Sequence, residues 1–246
     1  MAELRVGTSG WHYPHWKGVF YPEGTRSHEW LSFYASRFDT VEINNSFYRL
    51  PGQETFAAWA REVPPGFVFA VKASRFITHL KKLRDTGEAV ATFLERAGHL
   101  DGKLGPILFQ LPPRWKANQA RLEEFVSSLP EGRRYAFEFR DQSWFYDGVY
   151  RILEAHGCAL CVASSPSFPS VKRVTAGFSF LRFHGGQVLY GSKYSREELR
   201  KWAVFVLSLL ERDIDVYAYF NNDAFGYAVE DAALFRRLVA GKGPSH

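Results

Sequence analysis

The chain carries acids, bases and amides at a recurring place, the last residues of short apolar runs. In Tyr135-Ala136-Phe137-Glu138-Phe139-Arg140, Glu138 and Arg140 stand two apart. On a strand they share one face and Phe137 and Phe139 the other. Val41-Glu42-Ile43-Asn44 pairs Glu42 with Asn44, and Leu181-Arg182-Phe183-His184 pairs Arg182 with His184. Lys72 ends Phe67-Val68-Phe69-Ala70-Val71-Lys72, Gln110 stands at the close of Ile107–Leu111, and Asn221 and Asn222 follow Asp215–Phe220. Two carboxylates on separate strands can act as general acid and base where their environments push their pKa values apart. A desolvated lysine can serve as base or nucleophile, or stay charged and hold an anion. Arginines clamp carboxylate or phosphate in a bidentate way, and histidine shuttles protons near neutral pH. This assigns Glu42, Lys72, Glu138 and His184 to catalysis, and Arg140 and Arg182 to an anionic ligand. Gln110, Asn44, Asn221 and Asn222 would hold polar ligand groups. Gly185, ahead of Gly186, would offer backbone N–H groups to an anion. The competing reading is a solvated rim, with salt bridges such as Glu42–Lys72 or Glu138–Arg140. Taken one at a time the residues suit that rim; taken as a set they suit a site.

The elements that must position these groups alternate. Eight apolar segments begin near Leu4, Thr40, Phe67, Ile107, Tyr135, Cys158, Ser179 and Asp215. Helical patterns separate nearly all of them: 27–37, 53–62, 86–100, 118–129, 147–156, 195–212 and 223–239. Ser27 and Asn118 stand at N-cap positions, and Ser195 with Glu198 forms a capping box. Only the Ser- and Pro-rich 164–177 joins strands six and seven, so helix six is reduced or missing. Continuous apolar strands alternating with helices form a parallel sheet covered on both faces. Eight such units in 246 residues fit a single (β/α)8 barrel of the TIM type over 1–240, with a frayed tail at 241–246. An open doubly wound sheet is the alternative, but no G-x-G-x-x-G or P-loop follows any strand. In a barrel the polar strand ends meet at one mouth.

Composition narrows the function classes. Hydrophobic content of 46% and charged content of 23% are those of a globular protein, while aromatics at 17% are high. The net charge of +5 is compatible with anionic partners and is spread along the chain. No signal-peptide pattern follows Met1 and no apolar run reaches ~20 residues, so a soluble, cytoplasmic protein without a membrane span is expected. Cys158 and Cys161 have the C-x-x-C spacing of a redox pair or half a zinc site. On a buried strand that spacing sends the thiols to opposite faces, and with only 2 cysteines in the chain core packing is the expectation. No cofactor is expected. A divalent-metal site lacks ligands, since only His184 is well placed, with Glu42, Glu138 and Asp223 as helpers.

Trp11, Trp16, Phe47, Tyr48 and Trp144 fall in loops after strands one, two and five. They read as a lid over the mouth or as a stacking platform for a sugar or nucleobase, with Trp11, Tyr48 and Trp144 as ligand contacts. With Arg75, His79, Lys81, Lys82 and Arg84 the same face would suit a nucleic-acid strand.

Seven stretches in order resemble the YecE-like family, domain of unknown function 72. They are Gly7-Thr8-Ser9-Gly10-Trp11; Glu42-Ile43-Asn44-Asn45-Ser46-Phe47-Tyr48; Val71-Lys72-Ala73-Ser74 with Ile77-Thr78-His79; Gln110-Leu111-Pro112; Glu138-Phe139-Arg140 with Ser143-Trp144; Arg182-Phe183-His184-Gly185; and Tyr219-Phe220-Asn221-Asn222. The similarity covers nearly the whole chain, and strand six is its hardest part to match. The resemblance implies a TIM barrel and carries no established reaction. A relation to sugar-isomerase and endonuclease barrels has been suggested for such folds, which is analogy rather than chemistry. The leading expectation is therefore a non-redox enzyme (isomerase, lyase or hydrolase) doing acid–base chemistry on a small anionic, phosphorylated or acidic sugar-like ligand. A nucleic-acid binding or processing protein using the same face is the alternative. The sequence leaves oligomeric state open.

Overall fold

Eight parallel strands are present in the computed structural model, which describes residues 1–241. They are β1 (Leu4–Thr8), β2 (Thr40–Ile43), β3 (Val68–Lys72), β4 (Leu104–Gln110), β5 (Tyr135–Glu138), β6 (Ala159–Ser164), β7 (Phe178–Phe183) and β8 (Asp215–Phe220). The helices are α1 (Trp30–Ala35), α2 (Asn45–Tyr48), α3 (Gln53–Glu62), α4 (Gly87–Gly98), α5 (Gln119–Ser127), α6 (Asp147–Ala155), α7 (Arg196–Leu210) and α8 (Tyr227–Ala240). The sheet runs β1-β8-β7-β6-β5-β4-β3-β2, the order of a TIM-type barrel cut between its first two strands. No helix joins β6 to β7, as the Ser- and Pro-rich connection implies. Of the expected tail, 242–246 lie outside the described residues.

The β1–β2 seam closes by other means than a ladder. One parallel bridge joins Ser9 to Glu42. Beside it the buried Tyr34 hydroxyl accepts from Thr8 N–H at 2.9 Å and donates to the Thr40 carbonyl at 3.1 Å. A side chain of α1 thus satisfies two backbone groups that neighbouring strands would otherwise satisfy for each other. The strands approach so closely that a Cβ on Gly7 would lie 2.1 Å from Thr40 O.

Two packed layers follow from strand alternation. Outside the barrel, Phe109, Phe137 and Phe139 join the large cluster between sheet and helices. Inside, Phe178, Phe180, Tyr217 and Tyr219 of β7 and β8 fill the lumen against Ala70, Ala136 and Ala159 of β3, β5 and β6. Bulky rings opposite alanines let a narrow lumen fill without voids. Cys161 belongs to the inner cluster and Cys158 to the outer one, opposite faces as the spacing requires. Both thiols are free and buried, and burial pushes the Cys158 thiol up to about 12.

Several local expectations hold. Asn118 caps α5 by accepting from Arg121 N–H at 3.0 Å, and Ser195 with Glu198 forms the capping box of α7. Ser27 does not cap its helix. A 3-10 turn, Ser27–Glu29, precedes α1, and the Glu29 carboxylate accepts from Arg26 N–H at 2.8 Å. The entry therefore starts one residue earlier and is closed by Glu29 from within. Among the described residues no helix is long and apolar enough to cross a membrane.

Candidate functional site

The polar strand ends converge above the lumen rings, and their centre is Arg182, which is 1% exposed. Its Nε and Nη2 donate to Glu42 Oε2 and Oε1 at 2.9 and 2.7 Å, and its Nη1 donates to Glu138 Oε2 at 2.6 Å. Glu138 Oε1 accepts from Arg140 Nε at 2.7 Å and from Gln110 Nε2 at 3.0 Å. Four strands therefore tie one charged network with two carboxylates and two guanidiniums. Burial opposes the charge on Glu138, but Arg140 and Arg182 outweigh it and hold the carboxyl well below its ordinary range.

This pairing changes the roles read from the sequence. Arg182 spends its donors on two carboxylates beneath the surface and has no open face for a ligand. Glu42 and Glu138 both pair with Arg182, and no contact in the network sets them apart as an acid and a base. Of the two rim salt bridges, Glu138–Arg140 is present and Glu42–Lys72 is not, because Arg182 takes Glu42.

Lys72 is left over. It is 7% exposed and makes no ion pair or hydrogen bond among the described residues; its Nζ lies over the Phe47 ring, 4.0 Å from the centroid. Burial, then the positive field of Arg182, lowers its pKa to about 7. The Phe47 face favours the ammonium by about 0.5–2 kcal/mol. That is smaller than the shift, which is worth about 1.4 kcal/mol per pKa unit.

Lys72 stands in a cavity of about 740 Å³, with Tyr13, Asn44, Gln110, Arg140, Tyr190 and Asn221 around it. Arg75, His79 and Asp223 also line it. Burial and then the Lys72 charge bring the His79 imidazole down to about 4, so it is neutral at pH 7. Burial pushes the Asp223 carboxyl up from its usual value. Burial thus moves Lys72, His79 and Asp223 of one cavity toward their neutral forms. Tyr190 has φ +61°, and its hydroxyl accepts from Arg140 Nη2 at 3.3 Å. A left-handed non-glycine residue costs of order 1–3 kcal/mol and clusters at functional sites.

A second cavity of about 730 Å³ adjoins the first and shares Tyr13, Asn44 and Tyr48 with it. Trp11, His12, His28 and Trp59 line it. Tyr48 is 72% exposed on the ridge between the two, while Trp11 packs edge-on against Trp59.

Four other expected contacts fall elsewhere. His184 is sealed beneath Phe168 and Tyr190, and burial, then Arg182, keeps its imidazole neutral. Its Nε2 lies 3.9 Å from Glu138 Oε1 and has no hydrogen-bond partner among the described residues. Trp144 is fully buried on the outer face of β5, stacked on Phe139 at 4.8 Å, with its Nε1 donating to Trp115 O. The 3-10 turn Gln142–Trp144 folds the ring back from the mouth. Asn222 turns inward to Ser192 O and Asp231 Oδ2 at 2.9 and 2.8 Å. Gly185 N–H is already taken by the Tyr194 hydroxyl at 3.1 Å, and a Cβ on Gly186 would meet the Glu198 carboxylate at 2.7 Å. The Gly185 N–H is therefore not free for an anion, and the Glu198 carboxylate beside Gly186 disfavours one. No group of three or more His, Cys, Asp or Glu among the described residues is placed to hold a metal ion.

Residues 5–245 match the profile of the family described as "Protein of unknown function DUF72". The chain belongs to the DUF72 family. It is 29% identical over 274 aligned positions to the UPF0759 protein YunF of Bacillus subtilis, covering 96% of this chain and 94% of that one. It is 31% identical over 146 positions to the UPF0759 protein YecE of Escherichia coli K12, covering 59% and 51%. A solved DUF72 family protein of Thermotoga maritima superposes with a TM-score of 0.85 at 30% identity, covering 97% of this chain and 99% of that one. The YecE-like resemblance and the TIM-barrel fold both stand. In this DUF72 chain the family stretches place Lys72, Gln110, Arg140 and Asn221 on the cavity, and Glu42, Glu138 and Arg182 in the network beneath it.

Among cavity residues, Tyr13 and Tyr190 are not singled out by the sequence; Phe47, Arg75 and His79 are placed there only on a stacking or nucleic-acid face, and Asp223 only as a helper to a metal. Asp223, two residues beyond Asn221, carried a usable signal, since it continues a polar strand end. Tyr190 carried none, because its loop closes over the mouth only in three dimensions.

Proposed function

We propose that the protein is a non-redox enzyme that moves protons on a small anionic ligand in the Lys72 cavity. The observation that carries this reading is the Lys72 amine, buried beside the cavity without a carboxylate partner and shifted to about 7. A group so placed is near half neutral at pH 7, and efficient acid–base catalysis favours a pKa close to the working pH. Lys72 is the base and, once protonated, the acid that returns the proton, and Arg75 with Arg140 supplies positive charge to a carboxylate or phosphate. Asn44, Gln110, Asn221 and Tyr13 offer hydrogen bonds to hydroxyls. Glu42, Glu138 and Arg182 position the site from below and do not touch the ligand.

This reading is favoured over a nucleic-acid surface. Nucleic acid is held by cations spread along a track, whereas Lys72, Arg75 and Arg140 meet in one cavity. On the loop after β3, Arg84 is already paired with Asp85 at 3.4 Å.

A thermal-shift panel tests the proposal. Sugar phosphates and sugar acids should raise the melting temperature, matched neutral sugars should not, and Arg75→Ala should weaken the response. A panel in which no anion shifts the protein, or neutral sugars do equally well, would reject it.

A further inference from the structure

We propose that Lys72 reacts covalently, forming an imine with a small aldehyde or ketone that carries a carboxylate or phosphate. This rests on the proposed function and names the substrate class of the same cavity.

Three placements argue for it. First, the Nζ lone pair is unclaimed: Arg182 and Arg140 occupy the carboxylates nearest the floor, so none remains to hold Lys72 as an ammonium. Second, Arg75 and Arg140 line the same cavity and suffice for an anionic group, so binding alone does not account for a third, desolvated cation. Third, the amine sits over the Phe47 face, 4.0 Å from the centroid. An iminium formed there keeps a cation over the ring, where the ring quadrupole stabilises it. The charged groups around Lys72 are Arg182, Glu138, Glu42 and Arg140. Their two positive and two negative charges cancel, so the amine can lose its proton without leaving a net charge behind.

The step balances without a redox partner. The neutral amine attacks the carbonyl carbon and a C–N bond forms. The carbonyl π pair moves to oxygen, which takes the proton released from nitrogen, giving a carbinolamine. The nitrogen lone pair then expels the hydroxyl, which leaves as water by taking up the proton that Lys72 released on becoming a neutral amine. The products are the iminium and water.

Reductive trapping tests this. The full chain is incubated at pH 7 with pyruvate or with dihydroxyacetone phosphate and cyanoborohydride, then read by intact mass and peptide mapping. At that pH about half of Lys72 is neutral, against roughly one in 3,000 for a lysine of ordinary pKa 10.5. Lower basicity gives back part of that advantage. Lys72 should therefore be labelled roughly tens of times faster than any surface lysine, giving a single major adduct that Lys72→Arg lacks. Mapping on the wild-type chain gives the answer even if the variant folds poorly. Adducts spread evenly over surface lysines, with Lys72 untouched while the same anions still raise the melting temperature, would overturn the imine and leave the proposed function standing. No adduct at Lys72 and no shift with any anion would overturn both.

Discussion

Replacing Lys72 with methionine should stabilise the protein, by an amount that depends on pH in a defined way. The folded chain holds the Lys72 proton with a pKa of about 7, against 10.5 ordinarily. Between those values the unfolded chain binds a proton that the folded chain does not, so wild-type stability rises with pH across that window. Below about pH 7 both states are protonated and the cost of burying the ammonium is constant. Linkage puts that cost at about 4 kcal/mol at pH 7, about 2 at pH 9 and less than about 1 at pH 10. The Phe47 face and residual solvation through the cavity reduce these figures, so about 2–4 kcal/mol is expected at pH 7. Methionine is of similar length and carries no charge, so Lys72→Met recovers that cost where it exists.

The assay is urea unfolding of both proteins at pH 7, 8, 9 and 10, comparing free energies at each pH. The methionine variant should be the more stable at pH 7 and the two should converge by pH 10. A gap that stays constant with pH, or a variant less stable at pH 7, would show that Lys72 keeps its charge in the folded chain. The neutral amine would then be lost, and with it both the proton-transfer and the imine readings.

Arg182→Leu should destabilise by about 3–5 kcal/mol at pH 7, because it leaves Glu42 buried without its ion-pair partner and Glu138 with Arg140 alone. The gap should narrow on acidification. Glu138, held low in the wild type, contributes stability that is fully present above its ordinary value of 4.5 and is lost as pH falls through the folded value. In the variant its carboxyl protonates more readily; urea midpoints at pH 7 and pH 5 check this. Tyr34→Phe removes the hydroxyl that bridges β1 and β2, leaving two buried backbone groups unsatisfied, and should cost about 2–4 kcal/mol in the same assay. Gly7→Ala should be worse, since its Cβ meets Thr40 O at 2.1 Å and backbone must move; soluble yield and melting temperature report it. Cys158 and Cys161 should resist a thiol reagent in the native protein and react on unfolding, because both are buried with raised pKa values.

Much of the architecture was legible because it depends on period. The eight apolar runs, the helical stretches between them and the gap at 164–177 all follow from alternation and turn chemistry. Parity on a strand also put Glu138 and Phe139 on opposite faces. It did not show which partner each inward group takes. Arg182 and Lys72 end their strands alike, yet one is spent on two carboxylates and the other faces the cavity. Parity also stops at the strand's end. Trp144 and Asn222 lie a few residues beyond β5 and β8, and their loops turn them back into packing with Phe139 and Asp231. Gly185-Gly186 had the composition of an anion-binding turn, but the Tyr194 hydroxyl and the Glu198 carboxylate already occupy it.

The arginine network bears on function through its charge balance. With one carboxylate fewer, two buried guanidiniums would share one carboxylate and leave a net positive charge; with one more, Lys72 would be drawn into an ion pair and fixed as an ammonium. The observed set has equal charges of each sign, and each carboxylate oxygen accepts from at least one guanidinium or amide. A buried ion network adds little stability over an apolar core of the same shape, so stability alone gives no reason to keep it beneath the barrel mouth. What it does supply is a rigid polar floor whose own charge sums to zero. Above such a floor a desolvated lysine loses its proton near pH 7, while arginines at the cavity wall still attract an anion. A hydrophobic replacement of the four residues would leave the fold possible and remove the surroundings that set the Lys72 pKa. The separation between stability and Lys72 chemistry in such a variant is the consequence that distinguishes a built site from a solvated rim.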